Sequence, residues 1–106
     1  MTSKQALLID DNLMSSMRVK SHLQRQGYTV TVMKAAPSDD AIVPDLVLIN
    51  IGSRGIDGIA IGQACKRWFP NAALQGFCGH LEVERRQAAK AAGFEKLLTN
   101  DQALSG

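Results

Sequence analysis

Between Pro44 and Gly58 the chain reads PDLVLINIGSRGIDG, and this stretch constrains the fold more than any other. It opens with four apolar residues in a row, Leu46-Val47-Leu48-Ile49, bounded by Pro44-Asp45 and by Gly52. An uninterrupted apolar run of this length reads as a strand buried on both faces, the pattern of a central strand in a parallel sheet. It stops on a polar side chain, Asn50, at its carboxyl end. In open α/β sheets that end is where ligands bind and chemistry is done. A loop with Gly52, Gly55 and Gly58 follows, leading into an amphipathic helix.

A second buried strand, Ala6-Leu7-Leu8-Ile9, ends on Asp10-Asp11. Asn12 is placed to cap the next helix, which carries Leu13, Met17 and Leu23 on one side and stops at Gly27. Tyr28 to Met33 alternates and is β-branched, as a half-exposed edge strand does. From Ala35 to Val43 there is room for two turns of helix beginning near Ser38, one turn short of an ordinary crossover helix.

After the central strand, Ile61, Ala64, Cys65, Trp68 and Phe69 share one helical face, with Gln63, Lys66 and Arg67 opposite. The Trp68-Phe69 pair is expected to pack that helix on the sheet, and Pro70 stops it. Leu74 to Cys78 reads as a strand, and Glu82 to Ala92 as an Ala-rich helix with acids in its first turn. The small residues of that helix imply close packing or a slack, movable element. Lys96 to Thr99 is a last short strand, ending on Asn100-Asp101.

The bounds agree with one small domain spanning residues 1–106. A chain of 106 residues holds a single core, and 45% hydrophobic with 21% charged residues is ordinary for a globular protein. A net charge of +2, with Lys and Arg scattered, points away from direct nucleic-acid binding. No apolar run approaches the roughly 20 residues of a membrane span, and the apolar segment near the N-terminus is too short for a signal peptide. Cys65 and Cys78 fit two reduced, buried thiols of a cytoplasmic protein. His22 is expected to be solvated, and His80 to be a loop residue rather than a ligand. There is no P-loop, no GxGxxG and no nucleophile–base pair, so no enzyme is expected.

Alternating strands and helices imply a parallel sheet with helices on both faces and right-handed crossovers. All strand ends then meet at one edge, which carries Asp10, Asp11, Asn50, Cys78 and Asn100. At this point the chain resembles the receiver domains of two-component response regulators, over Lys4 to about Leu104. The likeness rests on the acidic pair Asp10-Asp11 and on Gly27-Tyr28 after the first helix. It rests equally on the PDLVL strand with Asp57-Gly58 seven and eight residues beyond Asn50, and on Cys78-Gly79 closing the fourth strand. The resemblance implies a flavodoxin-like, three-layer fold with five parallel strands ordered 2-1-3-4-5.

The resemblance also implies a chemistry that these residues depart from. A working receiver has an Asp where Asn50 stands; it attacks phosphorus while Mg²⁺, held by that Asp and the acidic pair, neutralises the phosphoryl oxygens. A Thr or Ser hydroxyl stands where Cys78 is, and a Lys where Asn100 is. An amide is not a nucleophile, a thiol is a weak hydrogen-bond donor, and Asn100 has no charge. Asp10 and Asp11 are left as a weak or vestigial metal pocket. The resemblance further implies a fifth helix, and the chain ends where that helix should begin.

Three readings follow. The first is a pseudo-receiver, an unphosphorylated interaction module for a protein partner or an appended output domain. The second is a conventional Mg-dependent acceptor whose Asp was changed by design. The third is a small-ligand or metal-binding flavodoxin-like domain. A missing fifth helix would bare the sheet around Leu98 and Phe77, a surface for a homodimer or for a helix from elsewhere.

Overall fold

The computed structural model describes residues 4–35 and 43–105. The elements run β1 (Lys4–Ile9), α1 (Leu13–Arg25), β2 (Tyr28–Met33), β3 (Leu46–Asn50), α2 (Gly58–Trp68), β4 (Ala73–Cys78), α3 (Val83–Ala91), β5 (Lys96–Thr99) and α4 (Asn100–Ser105). All five strands are parallel, in the order β2-β1-β3-β4-β5. This is the expected flavodoxin-like order, with β3 central. The helix expected after Met33 falls largely outside the described residues.

Because β3 is apolar from Leu46 to Ile49, it feeds two cores. Leu46 and Leu48 join Ala6, Leu8, Val19, Leu23, Phe77 and Ala103 on one face of the sheet. Val47 and Ile49 join Leu7, Ile9, Cys65, Phe69 and Phe94 on the other. α1 and α4 cover the first face; α2 and α3 cover the second.

The inner face of α1 differs from the expected one. Its buried residues are Ser16, Val19 and Leu23, whereas Leu13 is 71% and Met17 61% exposed. The helix phase is set at its start. Asn12 accepts from the Met14 and Ser15 amides, and the Ser15 hydroxyl donates to Asp10. With Ser15 turned to the strand end, Ser16 and Val19 must face the sheet. Polar bonds at the cap therefore outrank the apolar stripe.

α2 also packs otherwise than its stripe implies. Gly58, Gly62 and Cys65 are the buried residues, followed by Phe69 just past the helix. Trp68 is 47% exposed, so it does not anchor the helix to the sheet. At Gly62 the sheet side is taken by Phe94, whose ring lies over Gly62 and Gly76: a methyl at Gly62 would come within 2.3 Å of it. A large ring on the sheet side demands a small residue on the helix side. In α3 only Ala89 is buried, and Ala88 and Ala91 face solvent.

Asn100 opens a helix rather than closing β5. Thr99 Oγ1 accepts from the Gln102 amide at 3.2 Å, and Gln102 Oε1 accepts from the Thr99 amide at 2.9 Å. This reciprocal pair is a capping box. α4 then sets Ala103 into the first core and covers Phe77, both 1% exposed. The expected bare surface is thus reduced. What stays open is a groove beyond α4, lined by Leu23, Tyr28, Leu46, Gln75 and Leu98.

Candidate functional site at the carboxyl edge of the sheet

Register brings the site together. Ile9 pairs with Ile49, so the next residues, Asp10 and Asn50, stand side by side beyond the ladder. Asp10 is 1% exposed. Its Oδ1 accepts from the Asn12 amide and from Asn50 Nδ2, each at 3.0 Å, and its Oδ2 accepts from Ser15 Oγ at 2.5 Å. Asn50 Oδ1 accepts from the Gly52 amide at 3.0 Å. The amide orientation follows: the Gly52 N–H can only donate, so Nδ2 must face the carboxylate.

Asp11 is held by the loop after β3. Ser53 Oγ donates to Asp11 Oδ1 and accepts from the Gly55 amide. A methyl at Gly55 would fall 1.9 Å from Asp11 Oδ2, so a larger residue there would push the Asp11 carboxylate aside. The Asp57-Gly58 pair serves α2. Asp57 caps it through the Ala60 amide at 3.1 Å, and a methyl at Gly58 would press on the Asn50 carbonyl.

The five expected site residues lie at one edge but not in one pocket. Asp11, Asn50 and Asn100 line an open cleft with Ser15, Ser53 and Arg54. Asp10 lies buried beneath them. Cys78 is 1% exposed and faces the other core, behind Gly52. Burial pushes its thiol pKa up, and the Glu82 carboxylate adds to this; Arg86 and Arg85 oppose it. His22 is half-buried and meets Gln26 at 3.1 Å; His80 is exposed in the turn after β4.

Four contributors were not foreseen: Ser15, Ser53, Glu82 and Arg85. Glu82 Oε2 accepts from the Gly79 amide at 3.1 Å, and Arg85 donates to the Ile51 carbonyl at 2.9 Å. Isolated serines on a helix or loop carry no sequence signal. The Glu82–Arg85 spacing does carry one, since residues three apart share a helical face.

No protein-family model matches the sequence, and no curated protein matches it. Solved structures do. The receiver domain of NtrX from Brucella abortus superposes with a TM-score of 0.77 at 23% identity, covering 92% of this chain and 90% of that one. The signal receiver domain of an HD domain-containing protein from Pseudomonas fluorescens Pf-5 gives 0.81 at 17% identity, over 96% of this chain and 79% of that one. A response regulator from Burkholderia pseudomallei, solved with a phosphorylated aspartic acid, a calcium ion and citrate, gives 0.76 at 19% identity, over 91% and 59%. This chain has the receiver fold.

Proposed function

We propose that this domain is an atypical receiver of two-component signalling that is not phosphorylated and acts as a protein-interaction or regulatory module. One observation carries the reading: where a receiver's nucleophile would stand, Asn50 donates a hydrogen bond to Asp10 at 3.0 Å. An amide nitrogen shares its lone pair with its own carbonyl and offers none to phosphorus, and here its N–H is committed to Asp10. The Burkholderia neighbour holds a phosphorylated aspartic acid; the central strand here ends on an asparagine.

The same donor set argues against magnesium, and we take the domain to bind it weakly or not at all. A hard cation needs several free oxygen ligands. Asp10 already accepts three hydrogen bonds, Asp11 accepts one from Ser53, and Asn50 turns its NH₂ group, not its oxygen, toward Asp10. These residues do not fit the metal of a working receiver. The neutral donors do its local work, satisfying the two carboxylates.

On this reading the domain is not an enzyme, works in the cytoplasm, and binds a protein partner or an appended output domain rather than nucleic acid. No helix among the described residues is long and apolar enough to cross a membrane. The groove beyond α4 is the surface we assign to self-association or to a helix supplied by a partner. Incubation of the chain with acetyl phosphate and Mg²⁺, read by intact mass, tests the reading. No added phosphoryl group is expected; stoichiometric addition would overturn it.

A further inference from the structure

α1 shows water the residues that its periodicity marks for burial. Leu13, Met14 and Met17 are 71%, 77% and 61% exposed. The bonds that set this rotation end on the carboxyl edge of the sheet: Ser15 donates to Asp10, which also accepts from Asn50. Proteins keep such a conflict between pattern and packing where function compensates for it, and grouped apolar side chains on a surface mark interfaces. Met14, Met17, Arg18, Ser21 and Arg25 stand at helical spacing on the side away from the sheet, and all five are exposed. Four of them, from Met17 onward, line a surface hollow together with Leu104, which reaches in from α4. None of the residues lining the hollow is acidic, and α1 contains no Asp or Glu. Neither guanidinium has a hydrogen-bond or ion-pair partner among the described residues.

We propose that this face of α1 docks an acidic amphipathic helix of a partner protein. One apolar side chain of that helix enters the hollow between Met17 and Leu104. Unbranched, adaptable methionines suit such a contact. Arg18 and Arg25 are two turns apart, about 10 Å along the axis, so the partner presents two carboxylates at the same spacing. Each guanidinium fork can take a carboxylate through paired hydrogen bonds. An anionic lipid surface would match the charge but not the shape, since a flat bilayer leaves the hollow unfilled. Pairing of the face with its own copy would set arginine against arginine. The proposal rests on the reading of the domain as a protein-interaction module and names a partner class for it, on a surface apart from the groove beyond α4.

The test is a titration of the full chain, followed by ¹H–¹⁵N spectra, with a synthetic helical peptide that carries Leu midway between two Glu residues spaced seven apart. The Met17, Ser21 and Arg25 amides should shift in a saturable way, and the Leu98 amide should not. The same peptide with Lys in place of each Glu should bind at least about tenfold more weakly, because like charges then face each other. The double variant Arg18→Glu/Arg25→Glu should reverse the preference, losing the Glu peptide and taking the Lys peptide. A merely structural role for the arginines would not produce that reversal. Met17→Ser, at an exposed position, should weaken the Glu peptide without touching either charge. Leu7 and Leu48 amides report that each variant keeps its sheet. No saturable shift with the Glu peptide, or an unreversed preference in the double variant, overturns the proposal. Phosphatidylglycerol vesicles that bind the wild type while the Glu peptide does not would give the face to a membrane and overturn it too. Phosphorylation of the wild type by acetyl phosphate would instead strike at the proposed function, so the two failures are distinguishable.

Discussion

Asn50 and Asp10 meet as donor and acceptor, Nδ2 to Oδ1 at 3.0 Å, under a surface that leaves Asp10 1% exposed. Two acids at this spacing would repel each other unless a cation or a shared proton lay between them. The amide removes that need.

Asn50→Asp should therefore lower stability in metal-free buffer, by about 1–3 kcal/mol, because a buried hydrogen bond becomes a carboxylate pair. Added Mg²⁺ should raise the melting temperature of the variant by mass action, and should leave the wild type unchanged. Signalling should recover less than metal affinity does, since Cys78 and Asn100 still lack a hydroxyl and a charge. Thermal melts with EDTA or Mg²⁺ check this.

Gly62→Ala separates local propensity from packing. In an exposed helix the change would stabilise by about 1 kcal/mol. Here the new methyl would press on Phe94 at 2.3 Å, and overpacking of this kind costs about 1–3 kcal/mol. Net destabilisation is expected in urea unfolding. Phe94→Leu in the same chain should recover part of it, as neighbours in contact are not additive.

The thiols give a pH prediction. Burial raises the Cys65 pKa from 9.0 to about 11. The folded state thus favours the neutral thiol. Its contribution to stability is fully present below pH 9 and is lost as pH rises from 9.0 through about 11. Cys65→Ala should flatten that alkaline decline. Thiol-specific reagents should label Cys65 only as fast as the protein opens.

The groove beyond α4 predicts association. Sedimentation velocity across a range of concentrations should show a reversible dimer, and Leu98→Glu should abolish it while the fold is kept. A monomer at every concentration, with no dye-binding apolar surface, would contradict the assignment.

Strand order and the composition of the site edge were legible because they depend on apolar runs and on where each run stops. The run at Leu46 to Ile49 and the residue ending it, Asn50, needed no tertiary information. The faces of the helices were not legible in the same way. Met17 looked buried by periodicity, but Ser15 had already fixed the rotation of α1 through Asp10. Trp68 looked like an anchor, but it is half-exposed, and the sheet side of α2 at Gly62 is taken by Phe94, distant in sequence. The α1 error comes from a cap bond five residues away that outranks the stripe. The start of α4 is different, since Thr99-x-x-Gln102 is a capping box written in the sequence itself. At the site, Asn50 was legible as the polar end of the central strand but not as a hydrogen-bond donor, because its partner is 40 residues away.

The central claim is that the carboxyl edge of the sheet holds its arrangement without phosphorylation. The most direct measurement is the ¹H–¹⁵N spectrum of the wild-type chain before and after acetyl phosphate with Mg²⁺. The account predicts that the amides of Asn50, Gly79 and α3 stay where they are. A new, slowly reverting set of signals at those positions, with one phosphoryl group added per chain, would contradict it.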